Sequence, residues 1–391
     1  MVKLLLGILC AVSSASAADA PWQWSGSYGD KSVTLLLLGD VSVEQRADPA
    51  AAMVHVRDTL NRADLVYGNL EGLLVKSEGP DKDIPDKSGW QHIGPEAIQA
   101  LKAGNIQVVG LANNVAYGPA NIMKSLAVLD ANGIVHTGAG ANLEEAHKPA
   151  IVERKGVRIG FLQYTAKWYR EDQQIATATS PGVARVTSRD GITIDPADIE
   201  RVRQDIRALR PLVDIVVVSS HNRDGLGRVL TSAAPETKEP SDPAALVAPI
   251  PLGSRFSEAE PYEKQLAHAA IDAGADIVYG HGSHVLQGVE VYQGKPVMYC
   301  LGNFATDWIR MRPNKDGMVA RVVIQGKHVA RVSLVPVTRD TDHNNVLMLN
   351  PSDGEGAKLL QKVKDLSAGT PLRIDGQEVV LVENRLVSSR N

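Results

Sequence analysis

Five apolar runs in this 391-residue chain end in small residues followed by side chains able to bind a cation. Leu35–Leu38 leads into Gly39-Asp40, and Leu65–Tyr67 into Gly68-Asn69-Leu70-Glu71. Val108–Leu111 leads into Ala112-Asn113-Asn114, and Ile215–Val218 into Ser219-Ser220-His221. Ile277–Tyr279 leads into Gly280-His281, with His284 just beyond. Small residues let the backbone turn sharply and come close to a ligand. Singly, each polar residue has a plain alternative: Asp40 or Asn114 could bond loop amides or cap a helix. Glu71 is harder to explain in that way, because glutamate is a poor N-cap and costly when buried unpaired.

If the runs are parallel strands, their carboxyl ends share one edge, where open α/β folds bind ligands. Asp40, Glu71, Asn114, His221 and His284 then converge without being neighbours in sequence, and a metal or phosphate site becomes the favoured reading. Asp, Glu, Asn and His without thiolate suit divalent Mn, Fe or Zn. The set exceeds what one ion needs, so two divalent metal ions are expected. Such a pair clamps the attacking and leaving oxygens of a phosphoryl transfer and lowers the pKa of a bridging water.

The elements that must position these residues alternate from Val33 onward. Asp48-Pro49, Gly94-Pro95, Gly118-Pro119 and Asp195-Pro196 each put a cap candidate before a proline at the first helical position. Lys102–Gly104 and Ile271–Gly274 end helices on glycine just before the next strand. This is a βαβ rhythm, implying a mainly parallel buried sheet with helices outside. Past residue 288 the pattern changes to hairpins, around Gln293-Gly294-Lys295, Gln325-Gly326-Lys327 and Asp375-Gly376, with one helix near Ala357–Leu366. The expected class is α/β with a β-rich C-terminal part. Gly227–Glu260 holds Pro235, Pro240, Pro243, Pro249 and Pro251 with little periodicity. A loop of that length is a lid, a binding arm or disordered.

Composition is ordinary for a globular chain, 44% hydrophobic and 22% charged. Lys3, the apolar Leu4–Val12 and Ala15-Ser16-Ala17 form the three parts of a secretory signal. Cleavage after Ala17 is expected, giving an exported, periplasmic or extracellular protein. The apolar stretch is too short to span a bilayer. Cleavage takes the formal net charge from -4 to -5 by removing Lys3, and removes Cys10, leaving Cys300 as the lone cysteine. The fold must then rest on its core rather than a disulfide. Mild acidity without a basic run argues against nucleic acid as a partner.

With these motifs in place, the chain resembles the CapA family of capsule and poly-γ-glutamate synthesis proteins, from about Leu35 to Phe304 and weakly beyond. The matching pieces are LGD ending at Asp40, NLE at Asn69–Glu71, LANN at Leu111–Asn114 and GAGANLEEAHKP at 138–149. The most specific is DAGADIVYGHGSHVLQGVEVYQGKPVMYCLGNF at 272–304. The resemblance implies a metallophosphoesterase-like α/β/β/α sandwich over residues 33–305, with 227–260 as an insertion and 306–391 completing it. It also implies that Asp40, Glu71, Asn114, His221 and His284 occupy a di-metal-like site, with Asn114 at the position of an asparagine ligand.

Three departures stand out. The family usually follows its asparagine pair with a histidine placed to protonate a leaving group, and here Val115 stands there; losing such a step costs about 10²- to 10⁴-fold. The family's His-Pro-His becomes Gly282-Ser283-His284, with His281 displaced by one residue; it could ligate, bond a phosphate or only pack. After His221 the family reads tryptophan, glycine and a nearby glutamate, and here Asn222-Arg223-Asp224-Gly225 follows. Asp224 could replace that acid by loop rearrangement, and Arg223 either meets an anion or is a solvated loop residue. His281 and Asp224 are therefore the candidate catalytic residues. Lys167-Trp168-Tyr169-Arg170 either lines a substrate groove or is a packed loop, and Asn303 either orients the site or caps the hairpin. Three functions stay open. The first is a metal-dependent hydrolase acting on a polyanionic polymer or a phosphorylated small substrate. The second is a binding or scaffold component beside membrane-bound polymer synthesis proteins, and the third a periplasmic phosphodiesterase or nucleotidase.

Overall fold

The run VTLLLLGDVS forms β1 (Val33–Ser42), buried almost throughout because both of its faces are covered. A computed structural model describes residues 22–79, 82, 90–188, 190–222, 258–308, 314–352, 354–367 and 369–383. The expected signal segment, Arg223, Asp224 and all of the proline-rich stretch before Glu258 lie outside the described residues. Next in chain order come β2 (Leu65–Leu70), β3 (Val108–Gly110), β4 (Val135–Thr137), β5 (Ala139–Gly140), β6 (Ala150–Arg154) and β7 (Val157–Thr165). They are followed by β8 (Gly182–Val183), β9 (Ile215–His221), β10 (Ile277–His281), β11 (Val289–Tyr292), β12 (Lys295–Met298) and β13 (Asn303–Thr306). The last are β14 (Gly317–Gln325), β15 (His328–Arg339), β16 (Val346–Met348), β17 (Arg373–Asp375) and β18 (Glu378–Glu383).

One sheet runs β17-β18-β15-β14-β1-β2-β3-β4, parallel from β1 to β4 and antiparallel from β1 through β14 to β17. The other runs β11-β12-β10-β9-β7-β6, with a parallel centre. Alternation along β1 divides its leucines between two cores. Leu35 and Leu37, with Leu65, Tyr67 and Val108, meet Phe161, Val217, Ile277 and Tyr279 of the second sheet. Leu36 and Leu38 face the other way, toward Met53, Leu60, Leu101 and Ile122. The outer face of the second sheet, with Leu162, Val216 and Val218, packs on Ile199, Val202, Ile206, Tyr262 and Leu266. The layer order is α/β/β/α, as expected for a metallophosphoesterase-like chain. Truncating a leucine such as Leu37, fully buried in the central layer, costs about 2–5 kcal/mol.

The helix signals act as their chemistry dictates. Pro49, Pro95, Pro119 and Pro196 each open a helical segment, and the Asp48 and Asp195 carboxylates accept from the amides of Ala50 and Ala197 at 3.0 and 2.9 Å. Helix Pro261–Ala273 ends on Gly274 at φ 118°, a conformation glycine adopts without strain. The three hairpin turns join β11 to β12, β14 to β15 and β17 to β18.

An N-terminal arm lies across the C-terminal strands. Arg321 Nη1 donates to the Ser25 carbonyl at 3.0 Å, and Gln325 Nε2 to the Tyr28 carbonyl at 2.8 Å. The Ser25 hydroxyl lies 2.6 Å from the Asp375 carbonyl and 2.5 Å from the Glu378 carboxylate.

Four strands leading to site residues run further than their apolar cores suggest, whereas β3 stops at Gly110. β1 continues to Ser42, β2 to Leu70, β9 to His221 and β10 to His281. The cause is that neighbours supply ladder partners at this edge. Asp40 is paired with Asn69 on one side and Asn303 on the other, and His221 with Thr165 and His281.

A candidate metal centre at the strand ends

Asp40 is fully buried where β1 loses its regular register. A bulge at such a point re-aims a side chain. Asn69 Nδ2 donates to Asp40 Oδ1 at 2.8 Å and the Gly282 amide to Oδ2 at 3.2 Å. His281 Nδ1 lies 3.7 Å from Oδ1, and His284 Nδ1 3.4 Å from Oδ2. Burial pushes this carboxyl up, but the His284 contact and the surrounding imidazoles outweigh it, leaving Asp40 well below the usual carboxylate range.

The other groups separate by environment. Burial, and then the Asp40 charge, push Glu71 up to about 7. His284 is depressed by burial, yet the Glu71 and Asp40 carboxylates carry it up to about 9. Burial holds His281 down at about 4 and His221 well below its ordinary value, so both are neutral imidazoles near neutral pH. Neutral imidazole is the form that ligates a metal.

Two trios result, and they share Asp40. Ligand atoms of Asp40, His221 and His281 lie within 4.8 Å of one another, as do those of Asp40, Glu71 and His284. Glu71 Oε1 is 3.6 Å from His284 Nε2 and 3.8 Å from His221 Nε2, while Asn114 Oδ1 is 2.5 Å from that same His221 nitrogen. The donor set fits a cation. His221 Nδ1 faces His281 Nδ1 at 3.1 Å, and a neutral ring carries only one N–H. Such an array of lone pairs and carboxylate oxygens is matched by positive charge at its centre.

Backbone shape serves the same end. His284 has φ +58°, unusual for a residue with a side chain and costing of order 1 kcal/mol or more. That conformation turns its ring toward Asp40 and Glu71. Gly282, at φ +93°, passes so close to β9 that a Cβ would meet the Asn222 carbonyl at 2.7 Å and His221 Nε2 at 2.8 Å. Only glycine fits there.

A layer of amides orients the candidate ligands. Asn303 Oδ1 meets His284 Nδ1 at 3.0 Å, so this residue orients the site. Gln163 Nε2 donates to Asn69 Oδ1 at 2.8 Å and lies 3.3 Å from His281 Nε2. Asn113 Nδ2 reaches Asn69 Oδ1 at 3.2 Å and the Leu70 carbonyl at 2.8 Å. His281, expected among the catalytic residues, thus sits fully buried between Gln163 and His221. Asp224 and Arg223 lie outside the described residues.

One wall of the site is aromatic. Val115 packs with Trp90, Tyr117, Tyr169 and Trp308. Trp90 meets Tyr169 and Trp308 edge-on, with ring centroids 5.5 and 5.1 Å apart, and Trp308 stands 6.4 Å from the His284 ring. Tyr169 Oη accepts from Asn114 Nδ2 at 3.0 Å. Sequence reading passed over Gln163, Trp90 and Trp308. The glutamine was findable as a lone amide inside an apolar strand; the tryptophans carry no spacing signal.

The chain is similar to several known proteins. The chain is 24% identical over 387 residues to the capsule biosynthesis protein CapA of Bacillus anthracis, covering 93% of this chain and 84% of that one. It is 26% identical over 348 residues to the PGA biosynthesis protein CapA of Bacillus subtilis strain 168, covering 86% and 79%. A crystal structure described as a novel phosphatase of Mycoplasma pneumoniae superposes at TM-score 0.40 and 11% identity, covering 84% of this chain and 96% of that one. The model of the bacterial capsule synthesis protein PGA_cap matches residues 34–239 and 236–308. The chain belongs to that family of capsule synthesis proteins.

Proposed function

We propose that this chain is an exported, metal-dependent hydrolase of capsule or poly-γ-glutamate synthesis, acting on a phosphoester or a polyanionic substrate. Asp40, His221 and His281 hold one divalent cation, and Asp40, Glu71 and His284 the other, with Asn114 completing the set beside His221. When bound, the cations supply Lewis acidity and an activated water. The chain's own residues fix the geometry: Asn69 and the Gly282 amide hold Asp40, Asn303 holds His284, and the aromatic wall keeps bulk water away from one side. The observation that carries this reading is the sharing of one fully buried carboxylate by two ligand trios. The Lys3 to Ala17 pattern supports export, tested by N-terminal sequencing of the protein recovered outside the cytoplasm.

The decisive experiment pairs metal analysis of the purified protein with turnover of a generic phosphodiester. Metal-dependent turnover lost in Asp40→Asn supports the proposal. Stoichiometric metal without turnover favours the second reading, a polymer-binding component of the synthesis assembly. That alternative draws its support from Val115, which packs among aromatic rings and has no proton to give.

A further inference from the structure

Asn114 reaches the centre by a different route from its neighbours. Asp40, His221 and His281 sit on strands and Glu71 directly follows one, whereas β3 stops at Gly110 and Asn114 lies beyond it on irregular backbone. Asn114 and Ala116 are both buried. Buried backbone without a ladder must find its hydrogen bonds elsewhere.

One side chain supplies several of them. Gln174 is sealed from solvent at the end of the single-turn helix Glu171–Gln174. Its Nε2 donates to the Asn114 carbonyl at 2.7 Å and lies 3.4 Å from the Ala116 carbonyl, the two that flank Val115. Its Oε1 accepts from the amides of Tyr169 and Arg170 at 2.7 and 3.1 Å. The helix is anchored in turn, because Ile175 bridges Val183 and the Ala176 amide donates to the Val183 carbonyl at 3.2 Å. Gln174 thus ties the Asn114 main chain to the backbone carrying Tyr169, using both ends of one amide. The Asn114 side chain spans the same gap, with Nδ2 donating to Tyr169 Oη at 3.0 Å and Oδ1 2.5 Å from His221 Nε2. Pinning both backbones keeps Tyr169 Oη beside Nδ2, and that bond turns Oδ1 toward His221.

We propose that Gln174 is a positioning residue for the cation held beside His221, acting through Asn114. This rests on the metal-dependent reading above and names the support on which one of its two cations depends. The other cation draws on Asn303, which holds His284. Outer partners of this kind alter metal affinity by about 10- to 100-fold when lost.

The test is calorimetric titration of the metal-stripped full chain with manganese(II). Wild type is compared with Gln174→Met, Gln174→Asn, Asn114→Ala and the Gln174→Met/Asn114→Ala pair, and melting temperature is recorded for each. The expected result in Gln174→Met is one manganese equivalent weakened by about 10- to 100-fold while the other holds. Gln174→Met should add little once Asn114→Ala is present, because the two act on one ion. Gln174→Asn keeps an amide on a shorter stem, should lie between wild type and methionine, and carries the test if methionine prevents folding. Equal weakening of both equivalents makes Gln174 merely structural and overturns the proposal, as does full additivity with Asn114→Ala. Two wild-type affinities in both Gln174 variants sink this inference and leave the metal reading intact, whereas no uptake by wild type sinks both.

Discussion

Asp40 on β1 and Asn69 on β2 stand opposite each other in a parallel ladder, joined by a 2.8 Å bond from amide to carboxylate. The neighbouring strand therefore orients the acid that both candidate trios share. Asp40→Asn is expected to remove both cations, whereas Glu71→Gln removes only the one shared with His284. Metal-to-protein ratios from plasma mass spectrometry distinguish the two; a full complement in Asp40→Asn would refute the bridging role.

Val115 occupies a half-buried position one residue past Asn114. If protonation of the leaving group is the missing step, Val115→His raises phosphodiester turnover by about 10²-fold or more. The gain should be larger for an alkyl leaving group than for a nitrophenolate, which needs no proton to depart. Equal gains for both would mean that the imidazole acts by some other route.

Glu263 predicts a pH dependence of stability. It is buried near the start of helix Pro261–Ala273, where its carboxyl accepts from the Glu260 amide at 3.1 Å, and burial pushes it up to about 8. Between its ordinary value of 4.5 and that point, the unfolded chain gives up this proton while the folded chain keeps it. Stability then falls as pH rises through that window. Glu263→Gln keeps an acceptor and removes the ionisation. The variant should therefore gain on wild type by roughly 2–4 kcal/mol between pH 5 and pH 8. Parallel urea-denaturation profiles of the two proteins across that range would rule this out.

Arg331 and Glu378 are both sealed from solvent, 2.9 Å apart, and Arg321 bonds the same carboxylate at 2.9 and 3.0 Å. Glu378→Leu strands two guanidinium groups and is expected to cost about 3–5 kcal/mol in chemical denaturation. Arg331 keeps Asp375 at 2.7 Å, so Arg321 bears more of the loss.

The convergence of Asp40, Glu71, Asn114, His221 and His284 was legible because parallel strands put their carboxyl ends on one edge, whatever lies between them in sequence. The α/β class followed from the strand–helix alternation, and the four-layer sandwich from the resemblance to the capsule synthesis family. What lay beyond reach depended on pairing between distant segments. That β14 joins β1 opposite β2 is a choice of partner, not of local propensity. The place of His281 beside His221 depends on β10 continuing along β9 for one more residue pair. Amide-to-amide bonds such as Gln163 to Asn69 need both strands in register before either side chain has meaning.

The arm around Ser25 and Tyr28 has a temporal consequence. It leaves the ribosome long before the groups that receive it, Arg321, Gln325, Asp375 and Glu378, because Ser25 precedes Arg321 by 296 residues. Closure over so long a contour is slow compared with local pairing. A nascent chain must therefore carry this segment undocked until β14 has emerged, and a product cut short before β14 lacks all four of these groups.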